Sequence, residues 1–203
     1  MATEEDILAL SNMPINELIE LLHGKEPCKR SATAIKLLPV VDQVAEELLL
    51  QLSIEKCLYT KIAICESLEK GNVDTSRKMI KYLGIIGNNQ HKVPPNKVSA
   101  KKSFPLPRDI IARSLGKMHI SIFSSLMEII KSNNIVHISE GLDAIGYMVF
   151  YNPVLATSKN CKDILSLAHK YGEVPIVLWK VILCLSAFPR KESKEFLLRF
   201  AEE

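Results

Sequence analysis

Five histidines and five cysteines are the side chains in this chain best suited to metal or nucleophilic chemistry, and their spacing supports neither. His23, His91, His119, His137 and His169 include no pair at metal-ligand spacing. Cys161 and His169 stand two helical turns apart, but two ligands do not make a site. Cys28, Cys57, Cys65, Cys161 and Cys184 are odd in number and contain no Cys-x-x-Cys. Cys57, Cys65 and Cys184 fall inside apolar helical patterns and read as buried reduced thiols that pack as small hydrophobes. His137, Glu140 and Asp143 read as the capped, solvated start of a helix. Gly84-Ile85-Ile86-Gly87 ends a helix, and no Gly-Lys-Ser/Thr follows it, so it is not a phosphate loop. No Gly-x-Ser-x-Gly is present. The expectation is a protein with no catalytic residues, no metal and no cofactor.

Charge is the stronger signal. The net charge is only +3, but it is unevenly spread. Residues 1–26 hold six acids and one base, whereas Arg77 to Lys131 hold eleven Lys/Arg and two acids. The middle of the chain is therefore +9 and the remainder −6. At its centre lies residues 88–107, "NNQHKVPPNKVSAKKSFPLP", with four prolines, four lysines and no acid. Prolines prevent a helix through most of it, and a loop of this length in a compact domain is usually functional or disordered. Upstream, Arg77 and Lys81 share one helix face at i, i+4, with Lys78 beside them. The predicted contact residues are Arg77, Lys78, Lys81, Lys92, Lys97, Lys101, Lys102 and Arg108, facing another protein that is acidic or phosphorylated. Nucleic acid is the second reading. Phosphate contacts would explain lysines, yet only Tyr82 and Phe104 are near as stacking platforms, and the net charge is modest for a nucleic-acid domain.

These residues must be positioned by helices. Apolar periodicity near 3.6 recurs throughout, and no alternating strand of convincing length appears. Glu4–Leu10 and a second helix opened by Pro14 and closed by Gly24 form an N-terminal helical cap over residues 1–26. Five helix pairs follow over 27–203. The first is 28–41 with 43–53, stopped by Pro39 and N-capped at Asp42. The second is 56–70 with 75–86, the latter capped by Asp74. The third is 108–117 with 121–131, the fourth 135–151 with 160–171, and the fifth 175–188 with 192–201. Leu37/Leu38, Leu68, Leu115, Ile145 and Leu185 take corresponding places in the first helices. Near them stand small residues (Ala63, Ser67, Ala112, Ser114, Gly116, Ala144, Gly146, Ser186) that let helices approach closely. Trp179, in an apolar helix, reads as core.

"PRDIIARSLGKMHISIFSSLMEIIKS" resembles a HEAT repeat. Its first helix ends Ala-x-x-Leu-Gly, at Ala112, Leu115 and Gly116, and a short turn leads to a second Leu-rich helix. "AICESLEKGNVDTSRKMIKYLG" is similar, with Glu69 in the glycine place, and "VLWKVILCLSAFPRKESKEFLLRFAEE" is a looser match. The resemblance implies an all-α, right-handed α-α superhelix (solenoid) of about five pairs, whose second helices line a concave groove. It implies a scaffold for protein–protein interaction. The HEAT-like DNA glycosylases offer the competing enzyme reading, for which Asp74, Arg77, Tyr82 and Trp179 are the candidate residues. A chain of this size buries roughly 70% of its unfolded surface. The N-terminus has no basic leader, and no apolar run is long enough for a span. The expectation is a soluble, cytoplasmic protein with no membrane contact.

Overall fold

The computed structural model describes residues 2–96 and 103–200. Among these, all regular structure is helical, in two compact units, Met1–Tyr82 and Leu83–Glu203.

The first unit holds α1 (Glu4–Leu8), α2 (Ile15–Leu22), α3 (Pro27–Lys36), α4 (Val41–Ile54), α5 (Leu58–Leu68) and α6 (Val73–Ile80). Thr3 and Asp6 close a reciprocal capping box on α1. Pro27 sits in the first turn of α3, where a missing N–H costs nothing. Helix α3 lies beside α5, and α4 beside α6, so the two hairpins pack helix against like helix. Small polar residues seal the α3–α5 contact. The Ser67 hydroxyl donates to the Ala34 carbonyl at 2.7 Å, and Ser31 meets Thr60 at 2.9 Å. Arg30 forks onto the buried Glu55 carboxylate at 2.7 and 2.8 Å and also donates to the Gly24 and Lys25 carbonyls. Burial alone would raise the Glu55 carboxyl. Hydrogen bonds from Arg30, the Cys57 N–H and Gln51 overturn that and hold it at about 2.

The second unit holds α7 (Ile110–Lys117), α8 (Phe123–Ile129), α9 (Ile135–Tyr151), α10 (Ser158–Lys170), α11 (Pro175–Leu185) and α12 (Lys191–Leu198). Asp109, Asn134 and Thr157 cap α7, α9 and α10. Helix α9 lies between α7 and α11, while α10 packs on α11 and α12. Leu37, Leu68, Leu115, Ile145 and Leu185, the positions the repeat aligns, are all fully buried.

Several local expectations are corrected. Pro39 does not end a helix cleanly. It sits in a 3-10 turn, Leu38–Val40, that runs straight into α4, so Asp42 is the second residue of that helix and not its cap. Its carboxylate instead accepts the Asn72 N–H at 2.8 Å and the Thr75 hydroxyl at 2.7 Å, tying α4 to α6. The cap of α6 is Asn72, not Asp74, because its side chain reaches the N–H groups of both Asp74 and Thr75. Helix α6 stops at Ile80, short of Ile86, and Gly84 and Gly87 follow with φ of 73° and 84°. Cys57 stands at the N-cap of α5 and is half-buried, and Cys28 is exposed. Leu38 is also exposed, leaving Leu37 as the core residue of that pair.

Removing the Arg30 fork tests the first unit. Arg30→Ala leaves a buried carboxylate unpaired, and urea denaturation should show a loss of about 3–5 kcal/mol at neutral pH. Because the folded Glu55 carboxyl sits below its ordinary value of 4.5, at about 2, that loss shrinks as pH falls through this interval.

Candidate functional site

The predicted contact residues fall in both units. In the first, Arg77 is exposed and pairs with Asp74 at 3.0 Å. Lys78 is half-exposed and donates to the Asp42 carbonyl at 3.3 Å. Lys81, just past the end of α6, is exposed. In the second unit, Lys92 and Arg108 are exposed. Lys97, Lys101 and Lys102 lie outside the described residues.

The two flanks of the Pro-containing segment are held against the second unit. At its start, the Gln90 side-chain amide donates to Asp109 Oδ2 at 2.8 Å and to the Ile86 carbonyl at 3.1 Å. Asp109 Oδ2 also accepts the Gly84 N–H at 3.1 Å, while Oδ1 caps α7 through the Ala112 N–H. One carboxylate thus starts a helix and closes the loop that precedes it. Next to Gln90, the His91 ring meets Trp179 edge-on with centroids 4.9 Å apart. Burial lowers the His91 pKa, and the charges of Arg108 and Lys180 lower it further, so its docked place favours the neutral ring. At the far end Phe104 is buried beside Phe150, with ring centroids 5.6 Å apart. Gly146 makes room for it: a Cβ there would come within 2.5 Å of the Phe104 ring. Arg113 then donates to the Pro107 carbonyl at 3.0 Å.

Beneath these anchors lies a buried charge cluster. Lys180 on α11 is fully buried and donates to the Asp143 carboxylate on α9, with Glu140, one turn earlier on α9, 3.8 Å from its Nζ. Glu140 and Asp143 are buried too, which corrects their assignment to a solvated helix start. Trp179 is half-buried, between core and surface, and carries the His91 contact on its ring. Asp143 Oδ1 and Glu140 Oε2 accept no hydrogen bond. Burial pushes the Glu140 carboxyl up to about 7, with Lys180 opposing and Asp143 and Asp109 adding to the rise. Burial likewise raises Asp143, against the pull of Lys180. The signal for this cluster was present in the sequence. Lys180 stands in a segment apolar on every side, and a charge there must be buried and matched by acids on a neighbouring helix.

Among the described residues no group of three or more His, Cys, Asp or Glu side chains is arranged to hold a metal ion. No described helix is long and apolar enough to cross a membrane. Asp74, Arg77 and Tyr82 belong to the first unit and Trp179 to the second. Comparison of the chain with protein-family models, with curated proteins and with solved structures gave no match.

Two outcomes follow from this geometry. The folded Glu140 carboxyl lies above its ordinary 4.5, at about 7, so folding favours its protonated form. Its contribution is complete below pH 4.5 and is lost as pH rises to 7, a difference of about 3 kcal/mol. His91, lowered from 6.5, acts in the opposite sense, and its contribution is lost on acidification. Denaturation followed by Trp179 fluorescence at a series of pH values should show stability falling towards alkaline pH in the wild type. That slope should flatten in Glu140→Gln, leaving the acid-side loss from His91. Separately, Phe104→Ala should cost about 3 kcal/mol by emptying the Gly146 notch. It should also speed tryptic cleavage between Lys92 and Phe104, read by gel and mass mapping.

Proposed function

We propose that the chain is a non-enzymatic scaffold of HEAT-like repeats that presents a basic surface to an acidic or phosphorylated protein partner. The observation that carries this reading is the segment between Gln90 and Asp109. It carries five Lys/Arg (Lys92, Lys97, Lys101, Lys102, Arg108) and no acid before Asp109, and the hydrogen bond between its two end residues closes it into a loop. A loop tied at its base and seated at Phe104 loses less freedom on binding than an open tail of the same composition. Five like charges on one closed loop attract an acidic surface before contact. The exposed Arg77 and Lys81 add cations on the first unit, with Lys78 beside them.

The like-on-like packing of α3 with α5, α4 with α6, and α9 with both α7 and α11 supports the repeat part of the reading. On this reading the pairs stack as a right-handed superhelix, and binding consists of surface presentation without chemistry. The compartment that fits is the cytoplasm, where the five thiols stay reduced.

Reversal of the loop charge tests the proposal. Wild type and a Lys97→Glu, Lys101→Glu, Lys102→Glu variant are used as bait in lysate of the host, with proteins and nucleic acids identified in both eluates. The expected result is an acidic or phosphorylated protein captured by the wild type, lost about tenfold or more from the variant and weakened by added salt, with thermal stability unchanged. Equal capture by both baits would exclude the loop as the site. Loss of nucleic acid instead, with a steep dependence on salt, would replace a protein partner by a nucleic-acid one.

A further inference from the structure

The buried lysine is the group in this molecule that no binding role uses. Lys180 Nζ is fully buried and in direct contact with Asp143, and Glu140 stands 3.8 Å away on the same side of α9. Their chain neighbours Leu142, Ala144, Val177, Val181 and Cys184 are fully buried as well, and Trp179 brings its ring to 5.3 Å of the Nζ.

An ion pair is a poor resting state for this arrangement. Two carboxyl groups, Glu140 and Asp143, face one ammonium, and both also feel the charge of Asp109, whose own oxygens accept from Gly84, Gln90 and Ala112. One oxygen of Asp143 and one of Glu140 are buried with no donor. Of the other basic groups nearby, Arg108 is exposed and His91 has its pKa lowered, by burial first. Burial penalises both members of an ion pair, and the two groups are in direct contact away from bulk water. We propose that Lys180 passes its proton to Asp143 and that the two then condense to an intramolecular isopeptide bond, with Glu140 as the proton carrier.

The step balances without a cofactor or oxidant. The Nζ lone pair attacks Asp143 Cγ and forms the C–N bond. Glu140, as the carboxylic acid, protonates the departing oxygen, and as the carboxylate it takes a proton from the nitrogen. The C–O bond breaks, one water leaves, and Glu140 regains its proton. A Glu140 carboxyl lifted to about 7 by burial holds a proton near neutral pH and can act in both directions. Fixing two reacting groups in contact supplies an effective concentration of roughly 10⁵–10⁸ M, which is what lets an unactivated carboxylic acid condense. The bond would join α9 to α11 across 37 residues, directly below the His91–Trp179 contact.

Intact mass spectrometry of the purified full chain under denaturing conditions reads the bond directly. The wild type is expected one water (about 18 Da) below its sequence mass, because condensation is intramolecular. Peptide mapping should place the deficit in a branched peptide that contains both Asp143 and Lys180. Lys180→Met and Glu140→Gln should both show full sequence mass. Asp143→Asn should still close, losing ammonia in place of water. Wild type at full sequence mass, both freshly purified and after days at neutral pH, would overturn the proposal, and so would a deficit mapped elsewhere. The wild-type mass decides the matter even if Lys180→Met fails to fold, and it is independent of whether the basic loop binds a partner.

Discussion

The second unit depends on how closely its helices approach one another. A Cβ on Gly146 of α9 would lie 3.1 Å from the Cys184 Cα, so the backbones of α9 and α11 are nearly in contact there. Gly116 does the same for α7, where a Cβ would lie 3.4 Å from the Ala144 carbonyl and closer still to Tyr147. Gly141 admits Ile129. Any longer side chain at these positions forces the layers apart. Close approach also removes every route by which a long polar side chain could reach water. Lys180 cannot snorkel, as an exposed lysine does, so its amino group has to be met inside the unit. The acids one turn apart on α9 follow from that constraint.

The same constraint joins the core to the basic loop. Asp109 is the hinge of this connection. It caps α7, accepts Gly84 and Gln90, and so fixes both ends of the segment. Its negative charge is also felt by Glu140 and Asp143. On the other side, Lys180 contributes to keeping His91 neutral against Trp179. Of the groups at the loop base, His91 is the one whose pKa its surroundings lower, by burial first and then by Arg108 and Lys180.

Much of the fold was legible because helices announce themselves by period. Every helix expected from the apolar pattern is present, and of the aligned leucines and isoleucine all but Leu38 are core. Ends were less legible, because several residues near a helix start can supply the cap. Asn72 took the cap expected of Asp74, and Asp42, expected to cap α4, became a tether between α4 and α6. The charged cluster was misread for a different reason. Acids near a helix start belong at the surface by default, and only the opposite charge on a distant, wholly apolar helix contradicts that default. The anchoring of the loop had no local signature, since Gln90 and Phe104 are ordinary residues until Asp109 and Gly146 are brought beside them.

Burial and exposure of positive charge divide the labour in this chain. Lys180 is enclosed where its charge is most costly, and its work is confined to the interior. Lys92 and Arg108 are held in water, where each charge is cheap and is felt over about a Debye length, ~8–10 Å. A flexible tail with the same lysines would spread that field over many conformations and reorganise on contact. Holding the two ends of the segment with one hydrogen bond and one buried ring costs little, because loop-closure entropy grows only slowly with length. The proline content acts in the same direction by narrowing the backbone freedom of the unbound state. Composition alone makes residues 88–107 basic; it is the second unit that holds both of their ends.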